Sequence, residues 1–544
     1  MESTKSKIFN KTDLLIIILL TLVNFLIFLP YFTGDFGFTL FSDNAIYATL
    51  AQRFSDGNFD KAFHIWWQPL YPFLASLIII FTENPQRSLF LVSVISGAIL
   101  FIPVYLLTKL ITKNYFYAIV SASLAIYSDK LVNSFFVLLT ENLYSLLFMN
   151  SILWVILFLK FKKVIFALFA GFAFGVTYLA RNDVLLPLQI FFVSILFLAL
   201  SKNISLKKLV LVYLLIGIGF VTTISPYLVF NYQKFGYLNL SAKLNASLSM
   251  PAYFAPQNNL TTTYAQEVWS IDTPNYDSKY FNEKFDFWKY RTNMIEGTRD
   301  RLIAYSRILN NALTKIEFAI LFIGFFTSLF YFFKIFKPGL FLHALFILNF
   351  FLSVPFHPGV DIRYLFWMVP VIAIFWVMAI YVPTFFWIRI TSRLPMSKKY
   401  TKAIKLIPLV IVNLLFLIYF FSQYGDNLAR PPQISSQETD QYYIVGSYIK
   451  RIDQEKPRIM TRREAITYFA DGETIYIPTS IGTEELRDYA MLWKVDYIVS
   501  DRFTLIPDSP LGYLVDESKA PGWLVPIKIW EGNITKTILY RVEL

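Results

Sequence analysis

Thr39-Leu-Phe-Ser-Asp43-Asn-Ala-Ile-Tyr47-Ala-Thr-Leu-Ala-Gln-Arg53 follows closely on the first hydrophobic run of the chain, Leu14–Pro30. The stretch is polar enough to leave a bilayer and periodic enough to be a helix. Ser42 is placed to cap that helix as Asp43 enters its first turn. Ile46, Tyr47, Leu50, Ala51 and Phe54 then form a face suited to the membrane surface. Asp43 would sit at the lipid–water boundary on an anchored helix. An enzyme holds a base there when one substrate is a lipid and the other arrives from water. An ordinary helix-start carboxylate is the competing reading at this level.

Composition sets the frame around that stretch. The chain has 544 residues, 56% of them hydrophobic and 16% charged, with 56 Phe and 34 Tyr, and a mean hydropathy of +0.51. Soluble domains run nearer 45–50% apolar and about 25% charged, so a polytopic membrane protein is expected. The net charge of +12 falls in short clusters between apolar runs, which is a cytoplasmic-loop signature and not a nucleic-acid surface. There is no Cys, so disulfides, thiolate chemistry and sulfur-ligated metal are excluded. The three His, at 64, 343 and 357, do not cluster as a conventional metal site. The basic start and the absence of a small-residue cleavage site after Pro30 point to a retained first span.

Apolar runs predict about eleven spans, at Leu14–Pro30, Ser88–Thr108, Tyr115–Tyr127, Glu141–Leu159, Val164–Ala180, Val184–Leu200, Leu209–Phe230, Ile316–Phe333, Pro338–Pro355, Arg363–Trp387 and Ile404–Phe421. With eleven crossings every Lys/Arg cluster falls on one side, which makes the N-terminus cytoplasmic and the C-terminal domain external. Pro69–Phe81 is apolar too, but its length suits a re-entrant or interfacial helix. Thirteen spans stays open. Residues 1–421 thus form a transmembrane domain with external loops at 31–87 and 231–315, the second with short helices such as Glu296–Leu313. Residues 422–544 form a small external α/β domain, with helices at Tyr442–Ile452 and Glu484–Trp493. Its strands are expected at Pro457–Met460, Thr474–Ile477, Asp496–Ser500, Lys528–Trp530 and Thr537–Val542.

Acidic groups at the outer ends of spans are the informative chemistry. Asp43 follows the first span, Glu141 opens the fourth, and Asp183 lies in Arg181-Asn-Asp183 between the fifth and sixth. Charge near hydrocarbon is costly and tends to be kept for a partner or a function, although a solvated span end explains each equally simply. Outer-side cations are few outside the large loop and the terminal domain; Arg53, Arg87, Lys130, Arg181 and Arg363 stand out. A guanidinium fork suits phosphate oxygens, and Arg363-Tyr364 at the mouth of the tenth span is the best candidate, with an interfacial anchor as its alternative. His357 could donate to a sugar or phosphate, and His64 and Arg53 lie in the first external loop as secondary candidates.

Several short motifs together resemble the membrane glycosyltransferases of the dolichyl-phosphate-mannose–protein mannosyltransferase and aminoarabinose lipid A transferase type, glycosyltransferase family 39, which have the C-type fold. The residues that carry the resemblance are the Asp43–Arg53 stretch, Gln68-Pro69-Leu-Tyr71-Pro72, Thr140-Glu141, Leu179-Ala-Arg181-Asn-Asp183, Arg363-Tyr364 and Val495-Asp-Tyr-Ile-Val499. The chain departs from the pattern at Asn44, where many relatives have a second acidic residue. It also lacks an inserted domain in Asn231–Lys315 of the kind protein mannosyltransferases carry.

The resemblance implies a sugar donor on a polyprenyl or dolichyl phosphate and an external acceptor: a lipid, glycan or protein. Asp43 would take the acceptor's proton as that oxygen attacks the anomeric carbon, inverting it; a phosphate leaving group needs little acid assistance. Arg363 with Tyr364, and then Arg181, would stabilise the departing lipid phosphate. Glu141 would orient the acceptor or a basic partner, and Asp183 would assist on that side. No cofactor or obligatory metal is expected, with a divalent cation left open. The expected partners are the lipid-linked donor and membrane lipids, with no nucleic acid, at a cell membrane. The opposing readings are a transporter, which predicts internal repeats and broken mid-membrane segments, and a non-catalytic lipid-binding assembly protein.

Overall fold

The computed structural model describes residues 10–34, 40, 42–200, 205–240, 261–282, 298–308, 313–348, 366–392, 437–478, 481–501, 510–532 and 536–544, with scattered positions between 410 and 422. Six helices among them are long and apolar enough to cross a membrane: Lys11–Thr33, Pro85–Thr112, Glu141–Phe161, Leu206–Phe235, Lys315–Lys334 and Phe366–Thr391. The chain is therefore a polytopic helical membrane protein. The first of these helices starts cleanly because Asn10 accepts from the Asp13 amide while the Asp13 carboxylate accepts from the Asn10 amide.

Helices lie at ten of the eleven expected spans, and the eleventh, Ile404–Phe421, lies mostly outside the described residues. Length separates them. Tyr115–Ile126 has 12 residues, so it is about 18 Å long and too short to cross a hydrocarbon core of about 30 Å alone. Leu70–Thr82 has 13 residues and lies at the apolar segment Pro69–Phe81 that the sequence sets apart from the full-length spans. Pro85–Thr112 is two helices, Pro85–Ile99 and Phe101–Thr112, meeting at Leu100. Pro103 accounts for the break, because it has no N–H to offer the Ile99 carbonyl four residues back. In the segment 231–315, helix is present at Thr261–Trp269 and at 298–308.

Burial divides the bundle into a centre and a rim. The central windows of Pro85–Thr112 and Glu141–Phe161 are 72% and 78% buried, against 17% for Lys11–Thr33, which turns most of its leucines outward. Val164–Ala180 and Leu206–Phe235 make the most extensively packed helix pair among the described residues. A Cβ at Gly171 would lie 2.3 Å from the Ile216 carbonyl oxygen, and one at Gly219 would lie 2.6 Å from that of Leu168. Only glycine permits that approach, and dispersion between close backbones is what holds helices together in lipid.

The terminal domain carries a five-stranded sheet in the order β2-β1-β3-β5-β4. β1 (Arg458–Thr461) pairs parallel with β2 (Glu473–Tyr476) and β3 (Tyr497–Asp501). β5 (Lys536–Val542) runs antiparallel between β3 and β4 (Leu524–Glu531). Helices Gln437–Ile452 and Thr483–Leu492 match the expected pair. A third, Glu464–Ala470, was not anticipated. This domain does not stand apart: Tyr442, Val445 and Ile466 share one apolar cluster with Tyr47, Trp67 and Tyr71 of the membrane domain.

Candidate active site

Asp43 opens a 13-residue helix, Asp43–Ser55, with Ser42 before it. The Ser42 hydroxyl lies 3.5 Å from Asp43 Oδ1 and makes no bond to the backbone of the first turn. The expected cap is therefore absent, and Ser42 faces the carboxylate instead. Ala45, Ile46, Tyr47, Ala48, Leu50, Ala51 and Phe54 are all buried. The face expected to lie on the membrane surface is covered by protein, chiefly by Leu70–Thr82, with Phe59–Ala62, Pro85–Ile99 and Glu464–Ala470 adding to it. The reason is that several protein partners are available, and burial among them removes more apolar surface from water than one-sided contact with headgroups.

Two links run from this helix toward Glu141. The Asn44 side-chain amide donates to the Val137 carbonyl at 3.1 Å, just before Glu141–Phe161 begins. Tyr47, one turn after Asp43, meets Tyr71 edge-on with ring centroids 5.4 Å apart, and the field of Glu141 reaches the Tyr71 hydroxyl. Tyr71 itself donates to the Leu89 carbonyl at 3.0 Å and lies 2.8 Å from Ser93 Oγ, so its ring is fixed in place.

Glu141, Arg181 and Asp183 form one ionic group. Arg181 Nη1 bonds Glu141 Oε1 at 3.2 Å, while Nε and Nη2 bond Asp183 Oδ2 at 3.0 and 2.7 Å. The guanidinium also lies over the Tyr144 ring at 5.4 Å. The local sequence explains the geometry. Helix Val164–Ala180 ends at Arg181, whose extended backbone turns the chain into the short 3-10 turn Asn182–Val184 and aims both side chains back at the start of the Glu141 helix. Two carboxyl groups meet one guanidinium here, so Arg181 is engaged with protein acids on three of its nitrogens.

Arg53 and His64 lie in a different arrangement. Arg53 donates to the carbonyls of Lys61 (3.1 Å) and Ile271 (2.8 Å) and pairs with Asp272 at 2.5 Å. His64 is buried; its Nδ1 accepts from the Trp66 amide at 3.0 Å and its Nε2 faces the Ser270 carbonyl at 3.1 Å. The ring is thus a neutral Nε2–H tautomer, because Nδ1 must accept. Both residues staple the stretch 53–64 to the segment around Ser270–Asp272. Arg363, Tyr364 and His357 lie outside the described residues.

The terminal domain adds a carboxyl that sequence reasoning missed. Glu464 begins helix Glu464–Ala470 and is only 6% exposed, and its polar neighbours are the hydroxyls of Tyr476 and Ser42 and the carboxylate of Asp43. Burial, with the charge of Asp43 behind it, pushes its carboxyl up to about 7. Burial and the neighbouring Glu464 likewise push the Tyr476 phenol up, so it remains a hydroxyl donor. The domain is docked by the Tyr476 amide donating to Gln266 Oε1 at 2.7 Å and by Trp269 against the Tyr476 ring. Among the described residues no group of three or more His, Cys, Asp or Glu is placed to hold a metal ion.

No protein-family model matches the sequence, and no curated protein does. The chain is similar to solved structures. One is the crystal structure of ArnT from Cupriavidus metallidurans bound to undecaprenyl phosphate, with a TM-score of 0.49 and 10% identity over 97% of this chain and 97% of that one. Another is ArnT from the same organism in the apo state, with a TM-score of 0.48 and 10% identity over 97% and 98%.

Proposed function

We propose that this protein is a membrane glycosyltransferase that moves a sugar from a polyprenyl-phosphate carrier to an extracytoplasmic hydroxyl or phosphate acceptor, with inversion. The observation that carries the reading is that the Asp43 helix is linked, through Asn44 and through Tyr47 against Tyr71, to the start of the helix at which Glu141, Arg181 and Asp183 form one ionic group. A half-buried carboxylate beside a hydroxyl suits a base that accepts a proton from an incoming acceptor. Arg181 holds Glu141 and Asp183 in register, which leaves stabilisation of the departing phosphate to Arg363 and Tyr364. The donor class rests on the resemblance carried by the motifs quoted above, and the external placement of the site rests on the distribution of Lys and Arg.

The test is transfer from a panel of labelled polyprenyl-phosphate sugars by purified wild type and Asp43→Asn, each in lipid. Loss of transfer in the variant alone, with lipid binding kept, supports the reading. Full activity in Asp43→Asn refutes Asp43 as base and moves the search to Glu141. An absence of turnover in both, with equal lipid binding, favours a non-catalytic lipid-binding protein.

A further inference from the structure

We infer that the terminal domain is a working part of the Asp43 site: it supplies Glu464 as a second carboxyl that positions the acceptor's attacking oxygen. The inference rests on the glycosyltransfer reading for its chemistry and on separate observations for its geometry.

Three features single out Glu464. The helix that it begins packs on the Asp43 helix, so a side chain from the soluble domain reaches a membrane-domain carboxylate. The residue is almost wholly buried, yet its Oε2 has no hydrogen-bond partner among the described residues. Buried polar atoms are normally satisfied, and an unfilled carboxyl oxygen that carries a proton is a place for it to donate to a ligand oxygen. Burial and the nearby Asp43 keep the proton on this carboxyl up to about pH 7. A neutral acid beside Asp43 can both accept and donate, and it avoids setting two negative charges side by side.

The surroundings favour the neutral form. Asp43 faces Glu464 from the membrane domain and Tyr476 from β2. Arg462, whose charge interacts with Glu464, donates to the Ile477 carbonyl at 3.1 Å, while Arg463, directly before Glu464, is drawn to Asp501 on β3 and to the Tyr442 ring. The arginines are thus partly committed elsewhere. In the transfer step the acceptor O–H proton passes to Asp43, the acceptor oxygen bonds the anomeric carbon, and the bond from that carbon to the carrier phosphate breaks. Glu464 keeps its proton throughout and holds the acceptor oxygen by a hydrogen bond.

The experiment uses the full chain in lipid with two readouts. Infrared titration of the protonated carboxyl band is compared for wild type, Glu464→Gln and Asp43→Asn. The expected band titrates near 7 in the wild type, is lost in Glu464→Gln and titrates lower in Asp43→Asn. Sugar release from labelled polyprenyl-phosphate donors, with water as acceptor, is then followed against pH. The wild-type kcat should fall as pH rises through about 7; Glu464→Gln should lower kcat roughly 10-fold and flatten that limb. A carboxyl band indifferent to Asp43→Asn overturns the pairing. A pH limb unchanged in Glu464→Gln overturns the positioning role. No sugar release by the wild type, with the coupled titration present, removes the glycosyltransfer reading and the positioning role while the carboxyl pair stands.

Discussion

Replacing Arg181 with Met tests whether the ionic group at the bundle end is a structural clamp on Glu141. Methionine keeps the length and apolar stem of the side chain and removes the guanidinium. Glu141 is 5% exposed and would lose its cation, whereas Asp183 is 23% exposed and would turn to solvent. Breaking a buried pair by removing one member costs about 3–5 kcal/mol, and a solvated partner adds about 0–1 kcal/mol. Glu141 retains other polar neighbours, so the lower end applies, about 3 kcal/mol. Glu141→Gln in the same background replaces the stranded charge with a neutral amide, and the double variant should recover about 2 kcal/mol. Arg181→Lys should fall between, because an ammonium is a point charge that does not reproduce the fork across two carboxyl groups. Reversible unfolding in mixed micelles, followed by circular dichroism, measures all four proteins. A single variant within about 0.5 kcal/mol of wild type, or a double variant no better than the single, refutes the clamp.

Three further outcomes are expected. Asp43→Asn should lower sugar transfer about 100-fold or more while leaving the unfolding midpoint unchanged, since its carboxylate is half-buried at a helix start; radiolabel transfer and thermal unfolding check both halves. Glu464 binds its proton more tightly folded than unfolded, so its contribution is complete below about 4.5 and is lost as pH rises through about 7, a fall of at most about 3 kcal/mol. Glu464→Gln should flatten that decline in unfolding curves taken across the same range. Gly171→Leu should force apart helices Val164–Ala180 and Leu206–Phe235, costing about 1–3 kcal/mol or more and lowering the monodisperse yield in detergent, because even its Cβ would overlap the Ile216 carbonyl.

The legible part of this fold is what local chemistry decides. Helix Val164–Ala180 falls where its apolar run begins after Lys163 and ends at Arg181, since charge closes the run at both ends. The strands of the terminal domain are short runs of β-branched and aromatic residues bounded by turns, and four of the five are placed within about two residues of their expected bounds, β4 extending further. The Glu141–Arg181–Asp183 group is half legible: Arg181 and Asp183 are two residues apart, but Glu141 lies 40 residues earlier in the chain. Arg53 and His64 stand out in the sequence as secondary candidates because nothing nearby in the chain answers them. Their partners, Asp272 and Ser270, lie 219 and 206 residues away.

Glu464 was invisible for a deeper reason, which bears on how the site works. Its helix has seven residues, too few for an apolar period to register, and its carboxyl looks like an ordinary first-turn acid. Only docking gives it meaning. The terminal domain is tied down by the Tyr476 amide on Gln266 and by Lys456 near Asp272, the same aspartate that Arg53 holds against the end of the Asp43 helix. One end of that helix is therefore fixed through Arg53 and Asp272, and the other faces Glu464 and Tyr476. A helix tied at one end to the 231–315 segment and faced at the other by the terminal domain cannot shift without disturbing one of them, and a 1 Å displacement of a base is enough to cost about 100-fold in rate. These two anchors on the proposed mechanism set the position of Asp43, so loosening Arg53–Asp272 through Asp272→Asn should slow transfer of labelled sugar, and an unchanged rate would refute the anchoring.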